Sequence, residues 1–428
     1  MTGEPDGRAY VRLVLLGATI GIPAALLAVG FLGLVHYLQH WLWTDLPKEL
    51  GHSSPPWYLV VGLPTVGGVL VLGARKLLPG DGGHSPLKGI GGGPVAPSHA
   101  FGIALAALAT LGFGAVLGPE APLIALGSVV GLAVVPFVRL NQQETAVMST
   151  AGSFSAISAL FGGPVVAGVM MMEGAIGMGV AVLPVLLPGF VAAAVGYLVI
   201  IGFGDWGGLD VPGLLVPDLP AYEGSHLDDM LLAVALGLLA AVLISAVRTL
   251  AGRLASFEGV RGGVYFLLVG GGLAVGLLAL LADVLGANSQ DVLFSGQASV
   301  PAVVTESSAS IVLIVLVAKS LAFAVSLGCG FRGGPVFPAV LLGIAVATVA
   351  VIALDVSPTW AVAAGAAAGM AAMTHMLLTS MLFGGLLAGS AGIDAIPAAV
   401  LAAAAAWLAT SALERRTGLV PVRAQAPP

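Results

Sequence analysis

Glu120 is an acid in a place where charge is expensive. Between Lys88 and Arg139 the ionisable residues are His99 and Glu120, and the chain around Glu120 is apolar. Glu120 belongs to the segment Gly118 to Gly127, GPEAPLIALG. That segment returns 216 positions later as Gly334 to Gly343, GPVFPAVLLG, with two glycines, two prolines and a leucine in the same slots. A Gly-Pro step with a second proline three residues on ends one helix and opens the next, because proline lacks the N–H that a helix interior needs yet suits a first turn. The unpaired N–H groups of that first turn attract anions. A carboxylate tethered beside them either caps its helix, favoured by the dipole, or competes with a passing anion for the same seat. An ionised group at membrane depth costs roughly 2.5–3.5 kcal/mol even on insertion scales, which makes an intramembrane acid a functional residue by default. The competitor reading is therefore preferred, with protonation of Glu120 opening the path. Helix breaks repeated in two halves at membrane depth point to a pathway near the midplane.

The elements that carry these breaks are membrane helices. Hydrophobic residues make up 58% of the 428 and charged ones 8%, against roughly 45–50% and about 25% in soluble domains. With 62 glycines and 27 prolines, the chain predicts closely packed, interrupted and re-entrant helices. Apolar stretches cover about 13–35, 57–78, 100–138, 146–203, 230–247, 264–285, 311–327, 336–354 and 359–412. Several exceed one span and must turn inside the bilayer. The first is longer than a signal-peptide core and reads as a retained helix. The expected fold is all-α, integral to the membrane and multi-pass, one domain over 1–428 built from two inverted-topology repeats at about 10–203 and 228–412. An acidic extracellular loop, 204–229, joins them; a short cytoplasmic tail, 414–428, leaves no soluble regulatory domain.

Charge placement orients the chain. Arg248, Arg253 and Arg261 are assigned to one short loop, while 204–226 and 287–310 hold no Lys or Arg, so the arginine loop faces the cytoplasm. Arg8 and Arg12, Arg75 and Lys76, and Arg415, Arg416 and Arg423 put both termini on that side. The net charge of −6 is spread over few groups, and no basic stripe suits nucleic acid. Cys329 is the single cysteine, and no Cys/His cluster has metal-ligand spacing. The chain has no Gly-x-Ser-x-Gly, no His-Glu-x-x-His and no paired intramembrane aspartates, which argues against an enzyme. An inverted-repeat transporter of another ion or small solute is the alternative. Such a site should show several intramembrane acids or unwound carbonyl runs; one acid at a helix start suits anions better.

These motifs resemble those of the CLC family of chloride channels and chloride/proton antiporters, over about residues 10–412. The family's Gly-x-Glu-x-Pro element, which holds a gating glutamate, is similar to Gly118-Pro119-Glu120-Ala121-Pro122, with Pro119 and Ala121 replacing the commoner Arg and Gly. Its Gly-Gly-Ile-Phe-x-Pro element is similar to Gly333-Gly334-Pro335-Val336-Phe337-Pro338, and its Phe-Asn-Ala-Pro turn to Phe161-Gly162-Gly163-Pro164. The forms resemble a divergent bacterial ion-channel-protein branch. The resemblance implies chloride or a similar small anion as cargo, Glu120 as gate, and the amides of Val336 and Phe337, beside Gly118 and Gly334, facing the anion. It further implies a homodimer in the cytoplasmic membrane, one pore per subunit, no cofactor, and protons as a second cargo if the chain is an antiporter.

Three departures touch the groups that distinguish antiporter from channel. The family's Gly-Ser-Gly-Ile-Pro loop is similar to Gly82-Gly83-His84-Ser85-Pro86, which puts Gly83 at the chloride-binding serine position and leaves Ser85 as a substitute. No tyrosine follows Tyr265, so the family's central tyrosine is missing and the inner gate must differ. The internal proton glutamate falls on Gly174, with Glu173 beside it, either a proton site or a structural partner.

Other polar groups inside apolar runs are weaker candidates. Lys319 either attracts anions toward the pore or snorkels to an interface. Arg332 either raises the potential at a pore mouth or anchors a loop at the headgroups. His375 lies in the counterpart of the 161–164 turn and either titrates near neutrality or packs. Met170 to Met172 read as soft packing beside Glu173.

Overall fold

A computed structural model describes residues 7–177, 183–202, 208, 216–222, 224 and 226–417. Its helices are α1 (Gly7–His40), α2 (Leu46–Glu49), α3 (Trp57–Leu77), α4 (Ala100–Gly112), α5 (Glu120–Ala133), α6 (Gln142–Phe161), α7 (Pro164–Gly177), α8 (Leu183–Ile201) and α9 (Leu227–Ala255). They continue as α10 (Gly263–Val284), α11 (Ser289–Val292), α12 (Val300–Thr305), α13 (Ala309–Gly328), α14 (Val336–Leu354), α15 (Pro358–Thr374), α16 (Leu377–Leu387) and α17 (Ile396–Thr417). Among the described residues, nine helices are long and apolar enough to cross a membrane, and no strand forms beyond one isolated bridge. The fold is all-α and multi-pass, as the composition requires.

The long apolar stretches break at glycines and prolines. The stretch 100–138 divides into α4, a non-helical segment 113–119, and α5, which begins at Glu120. The turn after α6 uses Gly162 in left-handed backbone (φ +66°), and Pro164 starts α7. The turn after α15 has the same left-handed cap, supplied by His375 (φ +58°).

Packing repeats between the halves. α5 lies on α6 and α14 on α15; α1 contacts α6 and α8, while α9 contacts α15 and α17. Small residues make both seams possible. A Cβ at Gly127 would meet Gly152 O at 2.5 Å, and one at Gly343 would meet Gly369 N at 2.8 Å, approaches that only glycine allows and that membrane helices use to pack without a hydrophobic driving force. The halves meet through related pairs, α3 with α10 and α7 with α16.

One element of the charge reading is corrected. Arg248 is not in a loop: it lies inside α9, buried, and pairs through Nη1 with Oε1 of Glu414 on α17. Arg253 occupies the last turn of α9, and Arg261 alone of the three lies in the turn before α10. The apolar window ended at Val247 because a charge interrupts it, yet a paired charge lets the helix continue. Half of the acidic loop at 204–229, and the tail beyond 417, lie outside the described residues.

Candidate functional site

The two repeated segments cross at their glycines. Gly118 N–H donates to Gly334 O at 2.7 Å and Gly334 N–H to Gly118 O at 2.6 Å, a two-bond bridge between antiparallel strands of backbone. A second reciprocal pair frames it. Val116 N–H donates to Ser326 Oγ at 3.0 Å, and Arg332 N–H to Thr110 Oγ1 at 3.1 Å. Each hydroxyl donates in turn to its own helix, Thr110 to Ala106 O and Ser326 to Ala322 O, both at 2.8 Å. All three positions are related by the 216-residue offset, so the repeat extends upstream of Gly118 to a buried hydroxyl on α4 and α13. These bonds satisfy backbone that the helix break leaves open in a medium without water.

Glu120 crosses between the repeats. Its side chain is fully buried, and Oε1 accepts the N–H of Phe337, in the first turn of α14, at 2.9 Å. The carboxylate therefore caps the helix of the other repeat, which places a tethered anion at that helix's positive end. Oε2 has no hydrogen-bond partner among the described residues. Glycine is required on both sides of the carboxyl group: a Cβ at Gly118 would meet Oε1 at 2.5 Å and Cδ at 2.7 Å, and one at Gly334 would fall on Oε2. In this arrangement Gly118 and Gly334 spend their N–H groups on each other and contribute close approach. Two phenylalanines cluster about the Phe337 ring. Phe161 stacks on Phe337 with centroids 5.7 Å apart, and Phe383 of α16 meets both edge-on at 5.5 and 6.2 Å. Phe383 was not singled out in the sequence, where one apolar residue in an apolar run carries no mark.

Beside the first turn of α5 is a small cavity of about 10 Å³, close to the space one water requires. It is lined by Gly82, Gly83 and His84, by Ile103 of α4, by Ala121, Pro122 and Ala125 of α5, and by Arg332 and Gly333. Gly83 thus reaches the site, in left-handed backbone at φ +100°; Ser85 stands outside the lining. Arg332 is buried rather than at the headgroups. Its Nη2 donates to Asp81 Oδ2 at 2.5 Å and its Nε to Asp81 O at 3.0 Å. Arg75 shares Asp81 through Nε at 2.8 Å and reaches Glu258 at 2.7 Å. Burial penalises the Arg332 guanidinium, and the Asp81 carboxylate offsets that penalty. Burial also raises Asp81, but the Arg75 hydrogen bond and the Arg332 charge outweigh it and hold the carboxyl below its ordinary value. Asp81 was overlooked because an aspartate among glycines looks like a turn residue.

The chain matches the family model described as voltage gated chloride channel over residues 86–410. It belongs to that family. The Escherichia coli O1:K1 protein named "Putative ion-transport protein YfeO" is 30% identical over 353 residues, 80% of this chain and 79% of that protein. The fold is similar to a slow cyanobacterial Cl⁻/H⁺ antiporter, TM-score 0.78 at 18% identity over 96% of both chains. It is also similar to a CLC-type fluoride/proton antiporter, TM-score 0.72 at 20% identity over 96% of this chain and 98% of that one. The chain is a CLC-type ion-transport protein of the membrane.

Within this CLC fold the remaining candidates separate. Glu173 caps α16: Oε1 accepts Leu378 N–H at 2.9 Å, and Oε2 accepts Thr379 N–H at 2.8 Å and its hydroxyl at 2.5 Å. It repeats the Glu120 device, a carboxylate of the first half on a helix start of the second. Lys319 does not snorkel. It is fully buried, and Nζ donates to the carbonyls of Asp291, Val292 and Leu293 at 2.9, 3.1 and 2.9 Å. The segment it holds also ties to the non-helical stretch 113–119, where Phe294 N–H donates to Gly114 O at 3.3 Å. His375 Nε2 lies 3.1 Å from Glu414 Oε2, completing a buried cluster with Arg248.

Proposed function

We propose that this chain carries chloride or a similar small anion across the cell membrane along the N-termini of α5 and α14, with Glu120 as the gate. The observation that supports it is the Glu120 carboxylate seated on the Phe337 N–H inside a glycine-lined crossing. An anion of similar size bound there would use the same donor, so carboxylate and cargo exclude one another. Protonation neutralises the carboxylate and weakens its hold on the helix end, and the path then opens. Selectivity rests mainly on backbone amides, with Val336, Phe337 and Gly83 nearest the path. The relatives' coupling of chloride or fluoride to protons suggests the same here, with Glu173 as the inner proton site. The chain works as a conduit rather than an enzyme, as a homodimer with one pore per subunit, both termini in the cytoplasm, and two inverted repeats divided near residues 204–229.

The test is anion efflux from proteoliposomes with external pH recorded under a chloride gradient, for wild type, Glu120→Ala and Glu120→Gln. Chloride release with uphill proton movement that Glu120→Gln abolishes establishes an antiporter. Release without proton movement, altered by both substitutions, establishes a gated channel. Absence of anion flux in every variant rejects the proposal.

A further inference from the structure

Arg332 is the counterpart of Val116 in the 216-residue repeat, so a cation stands where the first copy has an apolar side chain. Its guanidinium is 6% exposed and lines the cavity beside the first turn of α5. A charge so buried requires a counter-ion, and Asp81 Oδ2 supplies it at 2.5 Å. Three features set this pair apart from a fixed structural bridge. The Asp81 side chain is 58% exposed, so the carboxylate can leave Arg332 toward water. Asp81 is a non-glycine residue at φ +48° within a run of positive φ from Gly80 to Gly83, a strained conformation of the kind that persists where function uses it. Its second partner, Arg75, donates to both carboxylate oxygens, at 2.8 and 3.1 Å. The carboxylate can therefore release Arg332 and remain paired.

We propose that Asp81 is a displaceable competitor for Arg332 and forms the second gate of the pathway: an anion entering at this mouth takes the guanidinium while Asp81 is retained by Arg75. The inference rests on the anion-permeation reading above. The charged and titratable groups facing the pair are Arg75 from α3, Glu258 from the turn before α10, and His84 along the same loop, itself beside Lys88. Glu258 is engaged by Arg75 at 2.7 Å, which leaves Asp81 as the carboxylate on Arg332. Glu120 and Asp81 then close the two sides of one short passage, each a tethered anion occupying a seat built for a mobile one.

The experiment is chloride binding by isothermal titration calorimetry to the full-length protein in detergent, for wild type, Asp81→Asn, Asp81→Ser, Asp81→Glu, Arg332→Gln and the double variant Asp81→Asn/Arg332→Gln. Asp81→Asn should bind chloride about three- to fivefold more tightly, the size expected for one partly exposed ion pair. Asp81→Glu should match wild type, and the double variant should lose the gain. Unchanged or weaker affinity in the neutral variants, or a gain that survives without Arg332, overturns the inference. So does failure of both neutral variants to fold, which would make Asp81 structural. No chloride binding in wild type or in any of these variants counts instead against the anion-permeation reading, so the two failures are distinguishable.

Discussion

Gly118→Ala should open the pathway without touching the glutamate. A methyl group at Gly118 would meet Oε1 of Glu120 at 2.5 Å and Cδ at 2.7 Å. Those atoms are the far end of a flexible side chain, so the clash is relieved by swinging the carboxyl group out of its seat. Gly118 has no positive φ, and its N–H and C=O remain free to bond Gly334. What is lost is the bond from Phe337 N–H to Oε1. A hydrogen bond to a charged group is worth about 1.5–3 kcal/mol, equivalent to a roughly 10- to 150-fold shift in occupancy of the seat. Anion efflux from proteoliposomes should rise toward that of Glu120→Ala and lose its dependence on pH. The decisive comparison is a double-mutant cycle. On a Glu120→Ala background there is no carboxylate to displace, so adding Gly118→Ala should change nothing. Efflux at or below wild type in folded Gly118→Ala, or an equal effect of the substitution on both backgrounds, would refute the reasoning.

Further outcomes follow from the same geometry. Lys319→Met leaves the carbonyls of 291–293 buried without their donor and should cost about 1–3 kcal/mol for each one left unsatisfied, read as a lower thermal unfolding midpoint. Thr110→Ala and Ser326→Ala each orphan one buried amide, of Arg332 and Val116 respectively, for about 1–3 kcal/mol each; equal losses in the same unfolding assay would confirm the symmetry of the crossing. Glu173→Gln should abolish proton movement while sparing chloride flux if Glu173 is the inner proton site, and pH recording during efflux reads this directly. Asp81 has a depressed pKa in the fold, so its pairing is fully present above its ordinary value of 3.8 and is lost only as pH falls through the lower folded value. A pH profile of Asp81→Asn should therefore match wild type in shape between pH 5 and 8.

The helix breaks were legible in the sequence because they depend on local chemistry. Gly-Pro steps, left-handed caps and apolar length are properties of a few adjacent residues, and α5 begins at Glu120 as the proline spacing requires. The acid at the break was legible for the same reason. Its partner was not: Phe337 lies 217 positions away, and nothing in its neighbourhood reports which carboxylate it will meet. Distance hid Asp81 and Arg332 too, separated by 251 positions, so the cation beside the second helix break was visible and its counter-ion was not. Arg248 was misplaced because a hydropathy window registers a charge and not the Glu414 that neutralises it 166 residues later. Lys319 was legible as a buried charge, but its carbonyl partners are backbone, which any sequence supplies and none advertises.

The wiring of the crossing has a consequence for biogenesis. The donor for Glu120 is synthesised 217 residues after it, and the partner for Arg248 follows by 166. At about 5–20 residues per second, the ribosome needs roughly 10–40 s to supply the first of these. During that interval the leading half of the chain lies in the insertion machinery with an intramembrane acid and open backbone at 113–119. The insertion machinery must shelter that half, or the half must wait at its boundary, until the trailing half arrives. Nascent chains stalled near residue 250 should therefore remain crosslinkable to translocation components, and chains released beyond residue 414 should not.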